Sequence, residues 1–470
     1  MKTGCLILAG GAGKRMKSER PKVLCEVLKK PMLGWVLDAA VKFGFDDIGV
    51  VTGYRRELTE EFVEGYSKSN SAGASGAFKI STYFQPQQLG TGDAVKQAAE
   101  FIKGVDRVCV LCGDAPFIDA ETLKNSLEFH EKNGAPERPV RAVTVISAEI
   151  SDPTGYGRII REDGKFVAIR EHKDCSPEEL KISEVNSGAY WFNSKELLEA
   201  LPKLSDNNAS GEFYLTDCVE LIGNAAAFSS DNPDIILGAN SRKSLLELNE
   251  KARLSVLERL MDEGVSFITT DGIIIGTDVK IGCDTTILPN TVILGNTTIG
   301  KGCEIGANSH IEDCVIGDDV ILNNVQAYSS TIEDNVKIGP FAQLRPGTVI
   351  RKGVKIGDFV EIKNSDIGEN TTVAHLTYLG DSDVGRGVNF GCGCVTANYD
   401  GVNKFRTEIG SHAFIGCNTN LIAPVKIGEN ATTAAGSTIT KDVPDNSLAI
   451  ERGQVRIIEN WPKNFERKKK

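Results

Sequence analysis

Through the first 240 residues, short apolar runs alternate with amphipathic stretches. Cys5-Leu6-Ile7-Leu8 leads into a glycine-rich turn, Ile48-Gly49-Val50-Val51 into another, and Val108-Cys109-Val110-Leu111 into Cys112-Gly113-Asp114. Between them Leu33–Lys42 and Thr122–Asn133 carry apolar residues at helical spacing. Strand, turn, helix, strand predicts an α/β domain with a mostly parallel, Rossmann-like sheet over residues 1–240. Ser67–Ala77, rich in Ser, Gly and Ala, predicts a flexible loop.

The grammar then changes twice. From 241 to 264, Leu245, Leu246, Leu248, Leu254, Leu257 and Leu260 are spaced for one long helix stopped by Gly264, which predicts a helical linker. Over 265–470 the period becomes six. Ile275, Ile281, Ile287, Ile293, Ile299, Ile305 and Ile311 keep it; after a slip Ile332, Ile338, Leu344, Ile350, Ile356 and Ile362 resume, and Ile409, Ile415, Leu421 and Ile427 repeat it. Neither a helix nor an ordinary strand has that period. Three positions after the aliphatic residue stand Asp284, Asn290, Asn296, Gly302, Asn308, Asn335, Gly353, Asn370, Gly387 and Asn430. These types enter left-handed backbone at least cost, so they predict a repeated corner. A parallel β-helix follows, each aliphatic side chain stacking on its equivalent one coil away.

Composition narrows the class. A net charge of −11 argues against a nucleic-acid or anionic-membrane surface, and the basic run Glu466-Arg467-Lys468-Lys469-Lys470 reads as a solvated tail. Gly, at 48 residues, is abundant and aromatics, at 7%, are few, which favours tight turns over aromatic cores. The 12 Cys are scattered; the Cys109/Cys112 and Cys392/Cys394 pairs have no second pair at zinc spacing, so a metal centre there is not expected. The first strand begins almost at Met1 and no apolar stretch reaches membrane-spanning length, so reduced thiols and a cytoplasmic location are expected.

The glycine-rich turn Leu8-Ala9-Gly10-Gly11-Ala12-Gly13-Lys14-Arg15-Met16 is neither a Walker loop, lacking Ser or Thr after Lys14, nor a dinucleotide fingerprint, lacking the third Gly. Its small residues let backbone approach a nucleotide, and Arg15 can meet a triphosphate. With Arg20-Pro21-Lys22-Val23-Leu24 it resembles the sugar-phosphate nucleotidyltransferase signature. The two halves together resemble the bacterial bifunctional UDP-N-acetylglucosamine pyrophosphorylase and glucosamine-1-phosphate N-acetyltransferase family, from Leu6 to about Arg452. The resemblance implies that the β-helix is left-handed and that the chain forms a homotrimer with acyl-donor grooves between neighbouring coils.

For the first half it implies uridylyl transfer from UTP to N-acetylglucosamine-1-phosphate. Lys22 would contact phosphate, and Gln85 with Gly90 and Thr91 would read uracil. Cys112, standing where relatives often have Tyr, and Gly113 would flank the nucleotide. Asp114 and the distant Asn240, both hard oxygen ligands, would hold Mg²⁺. Gly157 in Thr154-Gly155-Tyr156-Gly157-Arg158, Glu171 and Asn186 would hold the acceptor sugar. Catalysis would be positioning plus charge neutralisation by Mg²⁺, Arg15 and Lys22, with no covalent enzyme intermediate.

Between Thr372 and Glu408 the six-residue count falters and polar residues crowd in, which marks a functional interruption. His375-Leu376-Thr377-Tyr378-Leu379-Gly380-Asp381 and Asn398-Tyr399-Asp400-Gly401 are similar to the acetyltransferase half of the family. Transfer from acetyl-CoA to glucosamine-1-phosphate needs a base for the amine proton. His375 is the one of the five His in that string and is assigned that role. The resemblance gives Arg345, Lys363, Tyr378, Asn389 and Lys404 to the sugar phosphate. It gives Cys392, Asn398, Tyr399, Cys417, Ala435 and Arg452 to acetyl-CoA, with Cys417 in place of a Ser and Ala374 in place of a Gly. Two other readings stand beside this one: a nucleotidyltransferase whose β-helix only trimerises or regulates, and a non-enzymatic assembly protein. Uridine against thymidine, and gluco- against galacto-sugar, turn on a few contacts and stay open at this level.

Overall fold

A computed structural model of the chain describes residues 1–71, 78–132, 141–208 and 211–459. It divides into two compact units, Met1–Ala252 and Arg253–Lys470, the boundary falling inside the helix Arg242–Asp262. The tail 466–470 and positions 72–77 of the expected Ser67–Ala77 loop lie outside the described residues, as does Asn133 at the end of the second amphipathic stretch. Residues 67–71 are the last turn of a helix, Arg56–Ser71, and not a loop.

In the first unit seven strands run in the order Ala225–Ser230, Val143–Glu149, Glu184–Asn193, Arg107–Cys112, Thr3–Ala9, Asp47–Thr52, Lys79–Phe84. All are parallel except Glu184–Asn193, and a hairpin, Arg158–Glu162 with Lys165–Arg170, leans on that strand. Leu6, Ile7, Val108, Val110 and Leu111 are essentially inaccessible, as strands covered on both faces by helices require. The expected helices are present as Met32–Phe43, closed by Gly44 at φ 99°, and Ala120–Glu131, capped by Asp119 through the Thr122 amide. Strand Thr3–Ala9 sits between the strands that follow it on either side. The topological switch point therefore lies between Thr3–Ala9 and Arg107–Cys112, where open α/β sheets bind ligands at their carboxyl ends.

The long helix Arg242–Asp262 stops before Gly264, at φ 92°. Of its six leucines, Leu245, Leu248, Leu257 and Leu260 are buried, while Leu246 and Leu254 are exposed.

The second unit is a left-handed parallel β-helix, its described residues forming three sheets with eleven, ten and nine short strands. The periodic aliphatic residues line its interior, Ile275, Ile305, Ile362 and Ile415 among them. The slip in the count comes from three five-residue sides, 311–316, 322–327 and 327–332: Ile299 pairs with Ile316, Ile305 with Leu322 and Ile311 with Ala327, so the rungs stay in register. Nine of the ten expected corner residues have positive φ. Asn296 does not, because Gly295 at φ 65° takes that corner one position earlier. Three large apolar residues break the corner rule: Phe341, Phe359 and Leu376 have φ of 59°, 56° and 46°, a conformation that costs side chains of this size energy. The count also persists where it was expected to fail. Val373, Leu379, Val384, Phe390 and Thr396 are buried rung residues, and the insertion proper is only the loop between Ala397 and Thr407. One five-residue side and the unfamiliar occupants Phe390 and Thr396 conceal the period.

Candidate functional sites

At the carboxyl ends of the first sheet lies a cleft of about 290 Å³. It is lined by Leu8, Gly10, Gly11, Lys22, Val23, Gln85, Gln88, Gly90, Thr91, Ala94, Cys112, Asp114 and Glu212. Glycine is needed where backbones cross. A methyl on Gly53 would lie 2.5 Å from the Gly10 carbonyl, and Gly90, at φ 119°, packs so closely on Phe213 that its added methyl would lie 2.5 Å from that carbonyl. The amide of Gly92 donates to the Phe213 carbonyl at 2.8 Å and that of Phe213 to the Leu89 carbonyl at 2.8 Å, which brings Glu212 to the cleft.

The Lys22 ammonium is the cleft's electrostatic centre. It pairs with the Asp114 carboxylate and donates to the Asn240 side-chain oxygen at 2.6 Å, 218 residues away in sequence. One carboxylate and one amide oxygen thus meet at a single cation, the donor set that a hard divalent ion completes with water and phosphate. The Cys112 thiol is pushed up to about 12, first by burial and then by Asp114, so it is protonated and a poor nucleophile at neutral pH. Arg15 is exposed on a short turn, Lys14–Met16, and it, Ala9 and Gly113 do not line the cleft.

Gly157, Glu171 and Asn186 form a second group. The Asn186 amide donates to the Gly157 carbonyl at 2.9 Å, and a methyl on Gly157 would come within 3.5 Å of Glu171. Burial, with Asp174 and Asp217 adding to it, raises the Glu171 carboxyl above its ordinary range. The side chain of Arg158, next to Gly157 in sequence, is fully buried, donating to the Tyr156 carbonyl and reaching His172 Nδ1 at 3.4 Å.

On the β-helix the expected residues fall on two adjacent faces of one corner. On one face Arg345 pairs in register with Lys363, and Glu361 with Tyr378. Arg345 donates to Glu361 at 2.8 Å. Lys404, on the inserted loop, lies against Lys363, and the close approach of the two ammonium groups, with burial adding to it, pushes that of Lys363 below the usual lysine range. Beside this cationic pair Asp381 accepts from Asn364 at 2.5 Å and from Asn398; burial, the largest single cause, raises its carboxyl, but these two bonds together with the charges of Lys363 and Lys404 outweigh it and leave the group low. Tyr399 is exposed on the loop, its hydroxyl donating to the Gly401 carbonyl at 2.6 Å.

On the other face, five side chains share one corner position in successive coils: Asp358, His375, Cys392, Cys417 and Ala435. Four amides just past that corner, those of Leu376, Gly393, Asn418 and Gly436, donate in turn to the carbonyls of Asp358, His375, Cys392 and Cys417. Arg452 continues the line, donating to the Ala435 carbonyl at 3.0 Å. His375 is open to solvent, its side chain 59% exposed, and its Nδ1 lies 2.8 Å from Asp358 Oδ1. Asn389, one coil above Thr372, also faces out. Within one chain Asn389, Cys417, Ala435 and Arg452 climb away from the Arg345–Lys363–Lys404 cluster.

Sequence reasoning missed Glu212 and Asp358. Val23 and Asp381 lay inside strings it had singled out. Asp358 stands 17 residues before His375, one coil, so the repeat itself carried the signal.

Comparison with known proteins agrees with this division. The nucleotidyl transferase family profile matches residues 5–232, and the bacterial transferase hexapeptide profile matches 278–312, 329–364 and 406–441. A Clostridium acetobutylicum protein described as bifunctional protein GlmU is 46% identical over 461 residues, covering 97% of each chain. The Clostridium novyi protein of the same description is 46% identical over 466 residues, covering 98% of each. The protein of that description from Thermoanaerobacter pseudethanolicus is 46% identical over 461 residues, covering 97% of this chain and 96% of its own.

Proposed function

The chain belongs to the family of bifunctional GlmU proteins, and from that premise we propose how its residues divide two transfer reactions between them. The enzyme is both an acetyltransferase and a uridylyltransferase of UDP-N-acetylglucosamine synthesis. Relatives that match across both halves leave no place for the single-function or non-enzymatic readings. The working division is 1–240 for uridylyl transfer, 241–264 as connector and 265–470 for acetyl transfer.

In acetyl transfer, Arg345, Lys363 and Lys404 hold the phosphate of glucosamine-1-phosphate, two of these cations already sharing one site. Tyr378, Asn389, Asn398 and Tyr399 hold the sugar and acetyl group. Asp358 accepts from His375 Nδ1–H, which leaves Nε2 unprotonated and able to take the amine proton. The amine nitrogen attacks the thioester carbonyl, the C–S bond breaks, and the CoA thiolate leaves. The donor lies along the corner column of Cys392, Cys417, Ala435 and Arg452, in the groove beside His375. Hexapeptide repeats fit oligomerisation, and a homotrimer would bring a neighbour's surface to the open side of that column.

In uridylyl transfer, the N-acetylglucosamine-1-phosphate oxygen attacks the α-phosphorus of UTP and pyrophosphate leaves. Gly157, Glu171 and Asn186 hold the sugar, Gln85 with Gly90 and Thr91 meets the base, and Leu8, Gly10, Gly11 and Cys112, which line the cleft, border the nucleotide. Asp114 and Asn240 would hold Mg²⁺, which when bound neutralises phosphate charge. Lys22 holds both oxygens in place, and the exposed Arg15 supplies positive charge to the triphosphate. No helix among the described residues is long and apolar enough to cross a membrane.

The observation that carries the acetyl assignment is the exposed His375 hydrogen-bonded to Asp358, one turn from the paired lysines. Incubation of the purified chain with acetyl-CoA and glucosamine-1-phosphate, and separately with UTP and N-acetylglucosamine-1-phosphate, tests it. Thiol release in the first and pyrophosphate release in the second are expected. Persistent absence of thiol release would overturn the acetyl assignment.

A further inference from the structure

Gln85 is 3% exposed, yet it lines the nucleotide cleft. Both hydrogens of its amide nitrogen are committed, one to Asp93 Oδ2 at 2.8 Å and one to the Gly90 carbonyl at 3.1 Å. Its oxygen points the other way, toward Gly10, where an added methyl would lie 2.8 Å from it. Asp93 does not line the cleft. It sits in the first turn of the helix Thr91–Gln97 and is held in turn by Gln97 Nε2, which donates to its Oδ1 at 3.1 Å. A carboxylate has no hydrogen to give. Turning the amide over would set the Gln85 oxygen against both the Asp93 and the Gly90 oxygens, so one orientation is enforced.

We propose that Asp93 is a positioning residue for base selection: by locking the Gln85 amide with its oxygen toward the cleft, it makes the site accept nucleoside triphosphates whose pyrimidine carries an N3–H and reject those that do not. Uracil and thymine present a donor at N3 and meet an acceptor. Cytosine presents a lone pair at N3, which the locked oxygen repels, and its loss of hydration goes unrepaid. The inference rests on the reading of Gln85 as the base-contacting residue. It adds that the discrimination is built one step behind the contact, by a residue that touches no substrate.

The test measures kcat/KM of the full chain for UTP and CTP with N-acetylglucosamine-1-phosphate, in the wild type, Asp93→Asn, Gln97→Ala and Gln85→Ala. In Asp93→Asn the new amide can donate to a reversed Gln85, so the UTP-to-CTP ratio is expected to fall about tenfold, the size of one hydrogen-bond preference. Gln97→Ala frees one Asp93 oxygen and leaves the lock in place, so the ratio is expected to fall by only about two- to threefold; that variant keeps the test alive if Asp93→Asn does not fold. An unchanged ratio in Asp93→Asn and Gln97→Ala, with a collapsed ratio in Gln85→Ala, overturns the positioning role alone. Equal losses with both nucleotides in Asp93→Asn also overturn it, since that is what a merely structural role produces. A ratio indifferent to Gln85→Ala removes the base-contact assignment, and the inference with it.

Discussion

Replacement of His375 and of Asp358 separates the base from the group that orients it. The His375 side chain is 59% exposed and is held by Asp358, so His375→Ala is expected to change stability by no more than about 0.5 kcal/mol. Loss of a general base removes about 10²- to 10⁴-fold of rate, which corresponds to roughly 3–5 kcal/mol of barrier. Acetyl kcat should fall by that factor while uridylyl transfer by the same preparation is unchanged. Asp358→Asn can still accept from Nδ1–H at the 2.8 Å separation but without charge. A charge-assisted bond exceeds a neutral one by about 1 kcal/mol, so about a fivefold loss of kcat is expected. Asp358→Ala also loses orientation and should cost about 10- to 100-fold, because the imidazole is then free to take the wrong tautomer. Thiol release from acetyl-CoA, followed at saturating glucosamine-1-phosphate, reads all three variants. Wild-type acetylation in His375→Ala would refute the base assignment; equal losses in Asp358→Asn and Asp358→Ala, or losses confined to KM, would refute the orienting role.

Three further outcomes are expected. Asp114→Ala, or chelation of divalent ions, should lower uridylyl transfer at least about 100-fold and leave acetyl transfer intact, read as pyrophosphate release; equal loss of both activities would contradict the separation of sites. Gly90→Ala forces a side chain onto φ 119° and to within 2.5 Å of the Phe213 carbonyl. A lower melting temperature for the first unit, worth about 1–3 kcal/mol, and a raised KM for UTP are expected. His130 is fully buried, and burial, the largest cause, lowers its imidazole to about 4. Its folded value is below the unfolded one, so its contribution is complete above about pH 6.5 and is lost as the pH falls toward 4, on the order of 3 kcal/mol. His130→Gln should flatten the fall in melting temperature across that window, and an unchanged pH profile would exclude this source of acid lability.

The β-helix was the most legible part of the chain, because each coil repeats one instruction: an aliphatic residue inward, then a corner that favours Gly, Asn or Asp. The instruction was hidden where other residues satisfy it. Ala327 and Thr396 fill rung positions as well as an isoleucine does, and Phe341, Phe359 and Leu376 occupy left-handed corners that no propensity would assign them. In the first unit only the most apolar strands could be named. Val143–Glu149, Glu184–Asn193 and Ala225–Ser230 owe their places to neighbours already in the sheet.

What the residues determined by themselves is the pair of architectures and the identity of the reactive groups, since burial period, glycine-rich turns and a lone histidine are local properties of the chain. What only the tertiary structure decided is convergence. The Lys22 ammonium gathers Asp114 and Asn240 across 218 residues, Asp93 turns the Gln85 amide, and one coil of β-helix sets Asp358 against His375. A hydrogen bond depends on distances of about 3 Å, and no spacing in sequence specifies such a distance until the coils and strands have packed.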